Sequence, residues 1–218
     1  GVTKVILGSG PDTVNASGYS LPGLTLDATA DTTVGDLLKG SSLFGSSFVF
    51  SSPNALQAST VSGGVGTDTL AFVSSATPLT LGDGNFTSLI SGMNLLSVPG
   101  SSFVTLGGNA QTSGVSTIAA GTGNSTLSAL GYTSSLTIDV NAGVSDSDSL
   151  VGSSVAGTRF VISSPTVLSG STIQGGAADD TLSIATPLVG FNDSLPSSDR
   201  SIEVLQLASS SSVTLGSN

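Results

Sequence analysis

The chain has 218 residues, a formal net charge of −10 and only four cations, Lys4, Lys39, Arg159 and Arg200. Four scattered cations cannot neutralise a phosphate backbone, which argues against nucleic-acid binding. With no Cys and no His there is no disulfide, no thiolate nucleophile and no imidazole base, and no apolar run reaches the roughly 18 residues of a membrane span.

Charged residues make up 8% of the chain, so Ser, Thr, Asn and Gly must cover most of the surface. Thirteen of the 14 acids are Asp; Glu203 is the exception. Asp suits turns, where its short carboxylate reaches local backbone, and it also suits hard cations. Strong helix formers are scarce while Val, Thr, Ser and Gly abound, which points to strands.

In chain order, short segments alternate apolar and polar residues: VTKVIL, LTLDA, FVF, DTLAF, LTL, FVTL, STI, LTIDV, FVI, DTLSI, EVLQL and VTL. Each has strand length, and Gly, Ser, Asn or Asp punctuate them. The best helix candidates are TVGDLLKG (33–40) and FTSLISGMNLL (86–96), of one or two turns at most.

Self-comparison organises these segments. GVTKVILGSGPDTVNASGY (1–19) aligns without gaps to GVSTIAAGTGNSTLSALGY (114–132), and FVFSSPNALQASTVSGGVGTDTLAF (48–72) to FVISSPTVLSGSTIQGGAADDTLSI (160–184). ATPL (76–79) returns at 185–188, and SSFVTLGGN (101–109) returns as SSSVTLGSN (210–218). A repeat of about 109–113 residues predicts two units, 1–113 and 114–218, the second continuous with the first. Each unit is itself doubled, because four glycine motifs start at Leu7, Gly63, Ala120 and Gly175.

A sandwich or a barrel would also use many short strands. Collinear repetition and small turn residues favour an all-β parallel β-solenoid, a β-roll or β-helix. Coils of ~18–19 residues would fit three to each half-unit, giving about twelve coils at ~4.8 Å per rung, with the glycine turns aligned along one edge.

GGVGTDTLA (63–71) matches the nonapeptide G-G-x-G-x-D-x-U-x, in which U is a large apolar residue. It resembles the calcium-binding β-roll repeats of the repeats-in-toxin (RTX) family. The resemblance implies a six-residue turn that binds calcium, followed by a short strand. The matching positions are Gly63, Gly64, Gly66, Asp68 and Leu70. LGSGPDTVN (7–15) keeps Gly8, Gly10, Asp12 and Val14; GGAADDTLS (175–183) keeps Gly175, Gly176, Asp180 and Leu182; AGTGNSTLS (120–128) has Ser125 in place of Asp. The implied calcium set is Asp12, Gly63, Gly64, Gly66, Asp68 and Asp180. Asp27/Asp139 and Asp36/Asp148 recur at equivalent places and could complete a site. The competing reading is that the glycines and aspartates only build turns.

The nearest carboxylate pairs are Asp179–Asp180 and Asp146/Asp148, and the chain has no Trp and two Tyr. This is a poor catalytic inventory, and the chain reads as a non-enzyme. No regular Thr ladder of an ice-binding face is evident. The expected function is a structural segment of a secreted or cell-surface bacterial protein, a stiff shaft or filament. Its partners would be copies of itself end to end or further repeats of the same chain. The alternative is a calcium-dependent adhesin or binding module.

Overall fold

A computed structural model describes residues 1–73, 78–140, 147–162, 168, 170–187, 191–192 and 201–214. Asp146 and parts of the ATPL and SSSVTLGSN copies lie outside these residues. The chain forms two compact units, one of Gly1–Pro99 and Gly108–Ile118, the other of Gly100–Gly107 and Ala119–Asn218.

The strands follow in chain order. The first half contains β1 (Lys4–Ile6), β2 (Thr13–Asn15), β3 (Leu24–Ala28), β4 (Leu37–Lys39), β5 (Ser46–Phe50), helix α1 (Pro53–Ala58), β6 (Thr60–Ser62), β7 (Thr69–Phe72), β8 (Thr80–Leu81), β9 (Ile90–Ser91) and β10 (Leu95–Val98). There follow β11 (Phe103–Thr105), helix α2 (Gly108–Thr112), β12 (Thr117–Ala120), β13 (Thr126–Ser128), β14 (Leu136–Val140), β15 (Ser149–Val151), β16 (Thr158–Ile162), β17 (Thr172–Gln174), β18 (Thr181–Ile184), β19 (Phe191–Asn192), β20 (Val204–Leu207) and β21 (Val213–Thr214).

The fold is an all-β parallel solenoid. In the first unit β1, β3, β5, β7 and β10 pair side by side, and β2, β4, β6 and β9 form a second sheet. The second unit repeats this with β14, β16, β18 and β20 in one sheet and β11, β13, β15 and β17 in another. Among the described residues these strands pair in parallel, for example Leu26 with Phe48 and Phe48 with Leu70.

Register sets the length of a coil. Lys4 pairs with Thr25, Leu24 with Ser46, Ser47 with Thr69, Thr69 with Leu95, and Leu136 with Thr158. One rung of the parallel ladder therefore consumes about 22 residues, with longer steps between Thr69 and Leu95 and between Val61 and Ile90. The coil is longer than expected, and the count of twelve coils falls with it. The reason is that each coil spends one strand on each of two sheets, and both kinds of strand look alike in sequence.

Period-2 alternation in the strands turns one apolar column inward from each sheet. Leu26, Phe48, Leu70 and Leu96 stack in the first unit, and Ile138, Phe160 and Leu182 in the second; all are fully buried. Leu38, Val61 and Ile90 stack from the opposite sheet of the first unit, and Val104, Leu127, Leu150 and Ile173 from that of the second. Each such side chain contributes about 1.5–3 kcal/mol by leaving water, and similar spacing lets successive coils reuse one packing solution.

The predicted helices do not form. The 33–40 segment holds β4, and 86–96 holds β9 and the start of β10. Helix instead appears at Pro53–Ala58, where Ser52 accepts a hydrogen bond from Asn54 N at 3.2 Å and Pro53 opens the first turn. A Ser-Pro start of this kind needs no amide donor at its first position.

Close backbone approach constrains the turns. A Cβ on Gly64 would lie 1.7 Å from Ser41 O one coil back, and one on its repeat counterpart Gly176 would lie 1.7 Å from Ser153 O. Gly64→Ala should therefore cost about 2–3 kcal/mol. Gly10→Ala should stay within about 0.5 kcal/mol, because a Cβ there meets nothing within 4 Å. Denaturant melts of the two variants check this contrast.

Candidate functional site

All four glycine motifs share one local shape. The chain bends at the third and fourth positions and enters a strand at the seventh, which is Thr13, Thr69, Thr126 or Thr181. They do not align along one edge. The motifs at 63–71 and 175–183 lead into β7 and β18, whereas those at 7–15 and 120–128 lead into β2 and β13 of the second sheets. The spacing between successive motifs is not a whole number of coils, so successive copies fall on alternate sides.

At the fully buried Asp68 both carboxylate oxygens are engaged. Ser46 N donates to Oδ1 at 2.7 Å and Gly64 N to Oδ2 at 2.8 Å. The Asp68 amide in turn donates to Asn94 Oδ1 at 2.9 Å. Asp180 reproduces this: Thr158 N and Gly176 N each donate to it at 2.5 Å, and its own amide donates to Glu203 Oε2 at 2.8 Å. One carboxylate thus closes its own turn and takes the amide of a strand in the preceding coil. Burial pushes the Asp68 carboxyl up, with the Ser46 and Gly64 amides opposing it; the net direction is upward.

The opposite corner uses the same device with other side chains. Gly8 N donates to Asp12 Oδ2 at 2.8 Å, Asp12 N to Asp36 Oδ1 at 2.9 Å, and Asp36 N to Ser59 Oγ at 3.0 Å. In the second unit Ser125 N donates to Asp148 Oδ1 at 2.8 Å and Asp148 N to Ser171 Oγ at 3.0 Å. Ser41 and Ser153 form a further duplicated knot, each donating to a tyrosine carbonyl, Tyr19 O at 2.7 Å and Tyr132 O at 2.6 Å.

The glycines of the intact motif have backbone roles. A Cβ on Gly63 would lie 2.5 Å from Gly92 O, and Gly66 takes φ +106°, a region open to glycine. Calcium takes six to eight oxygens at roughly 2.3–2.6 Å. At Asp68 and Asp180 both oxygens already accept an N–H, so a calcium ion there would need most of its oxygens from other groups. Among the described residues no three His, Cys, Asp or Glu side chains converge as a metal site.

The remaining acids diverge. Asp27 meets Lys4 Nζ at 2.7 Å and accepts from Thr29 N at 3.1 Å. Burial opposes its ionised form, but Lys4 and Thr29 outweigh that and hold its carboxyl below the usual range. Asp139 is pushed up by burial, with Arg159 opposing. Asp179 and Asp180 do not form a carboxylate pair: Asp180 is locked as above, and Asp179 belongs to the exposed bend.

Asp31 is the residue that repeat comparison passes over, because its counterpart in the second copy is Gly143. It is 1% exposed, and neither of its oxygens has a hydrogen-bond partner; Asp36 Oδ2 is in the same position. The charges of the two carboxyls act on each other. Burial first, then the nearby charges of Asp31 and Asp12, push Asp36 up against the opposing Asp12 amide.

No protein-family model matches the chain, and neither does any curated protein or solved structure.

The raised folded-state pKa of Asp36 means that its contribution to stability is fully present below the ordinary carboxylate value and is lost as pH rises through the raised one. Asp31→Asn supplies an amide donor to Asp36 without a second charge. It should stabilise the protein by about 1–3 kcal/mol at pH 7 and by little near pH 4. Thermal melts at the two pH values check the sign.

Proposed function

We propose that the chain is a structural β-solenoid segment of a secreted or cell-surface bacterial protein, serving as a stiff shaft or filament. One observation carries the reading. The polar side chains of the recurring corners receive backbone amides of neighbouring coils, as at Asp68 and Asp180. Side chains spent on joining coil to coil build length and rigidity. The low charge content and the Ser/Thr-rich surface accord with that role. A shaft of this kind needs no bound ion at Asp68 and Asp180, whose corners are closed by hydrogen bonds.

The second reading, a calcium-dependent adhesin or binding module, rests on the intact motif at 63–71. It requires ligands other than the two oxygens of Asp68.

Small-angle X-ray scattering in calcium-free buffer and after addition of calcium separates the two. The shaft reading expects an elongated particle whose profile is the same in both. Extension that appears only with calcium would favour the adhesin, and a compact particle in both conditions would contradict the shaft.

A further inference from the structure

We infer that Asp31 and Asp36 bind a hard divalent cation of calcium's kind inside the 29–36 turn of the first unit. Neither residue belongs to a glycine motif, so the site is distinct from the one that the motif's family likeness implies. The turn joins β3 to β4 and carries both side chains inward, Asp31 being 1% exposed and Asp36 3%. Asp36 is fixed there: its Oδ1 accepts Asp12 N at 2.9 Å, and its amide donates to Ser59 Oγ at 3.0 Å. Asp31 is held through its backbone, whose amide donates to Ala28 O at 3.2 Å and whose carbonyl accepts from Ser51 Oγ at 3.2 Å.

Three buried carboxylate oxygens remain without a hydrogen-bond partner, Asp31 Oδ1, Asp31 Oδ2 and Asp36 Oδ2. Asp68 and Asp180 are as deeply buried, yet both oxygens of each accept an amide. Buried polar atoms find a partner in protein, water or an ion, and buried charge is paired or coordinates a metal. The charges that act on Asp36 are those of Asp31 and Asp12, both negative, while Lys4 is engaged with Asp27. A divalent ion offsets two carboxylate charges and takes several oxygens at once, at roughly 2.3–2.6 Å for calcium. Calcium suits the place better than magnesium. It accepts irregular sets of carboxylate and carbonyl oxygens, whereas magnesium demands a near-ideal octahedron and keeps several waters. Two carboxylates do not complete the shell, so backbone carbonyls of the turn and water supply the rest. The second repeat has Asp148 in place of Asp36 but Gly143 in place of Asp31, so this pair of ligands occurs once in the chain.

The test uses the full chain at pH 7, stripped with chelator and then given calcium chloride alone. Calorimetric titration should show an ion bound by the wild type that Asp31→Asn does not bind. Calcium at about a hundred times its Kd should raise the wild-type melting temperature by about 5–10 °C. Asp31→Asn, which keeps the side chain's shape and removes its charge, should lose that shift. Asp179→Asn, at an exposed acid of the second unit, should keep both the ion and the shift. Asp31→Gly, which copies the second repeat, takes the place of Asp31→Asn should circular dichroism show that the latter has lost its strands. A wild type that binds no calcium, or an Asp31 variant that binds as much as the wild type, would overturn the site. The site and the shaft fail separately. An elongated particle that binds no calcium removes the site and keeps the shaft. A compact particle whose bound ion is lost in Asp31→Asn removes the shaft and keeps the site.

Discussion

A carboxylate that receives two amides from two successive coils is the interaction on which the rest of this structure depends. At Asp68 one oxygen holds the turn that begins at Gly64 and the other holds Ser46 of the coil before. Ladder hydrogen bonds serve the strands between corners, but a chain that must change direction so often leaves amides at each corner with no strand opposite them. A buried amide left unpaired costs about 1–3 kcal/mol, and the cost would recur at every coil. Short acceptors at a fixed distance before the strand remove it. This is why Asp, Asn and Ser, with Glu203, occupy those places and why longer acids are nearly absent from the chain.

The same constraint explains the phase of the repeat. At the coil length that register sets, the long repeat spans about five coils and the half-repeat about two and a half. A motif repeated at the half-period therefore serves both sides of the solenoid, locking β7 on one side and β2 on the other. Because two different strands must be entered from the same turn, the shared features are those of the turn itself: glycine at the second position, an acceptor at the sixth and Thr at the seventh. The copy at 120–128 keeps the bend and strand with Ser125 at the acceptor place, where its Oγ takes Ser102 N at 3.4 Å, and its own amide goes to Asp148 as that of Asp12 goes to Asp36. The lock tolerates a change of acceptor because geometry, not charge, makes it.

Much of this was legible in residues. Alternation in LTLDA and LTIDV announced strands with one buried face, and collinear copies announced parallel coils; both stand in β3 and β14 and their neighbours. The turn-then-strand shape of GGVGTDTLA was legible too. Coil length was not, because strands of the two sheets have the same length and alternation, so nothing in the residues says that every second strand belongs to the other side. The segments 33–40 and 86–96 carry Leu pairs that look helical, yet parallel neighbours claim them as strands, while Ser52-Pro53 starts the helix that forms. Asp31 was invisible to repeat comparison because it breaks the repeat, and its pairing with Asp36 exists only once the chain has turned. Calcium followed from the motif's family likeness; the corner oxygens at Asp68 and Asp180 answer to amides.

The corner lock is tested most directly by amide hydrogen exchange followed by nuclear magnetic resonance in calcium-free buffer. The account predicts that Ser46 and Thr158, at the strand starts, exchange as slowly as the central strand amides, retarded about a thousandfold or more. Exchange at Ser46 and Thr158 near the rate of an unstructured chain, with slowing only on addition of calcium, would contradict it.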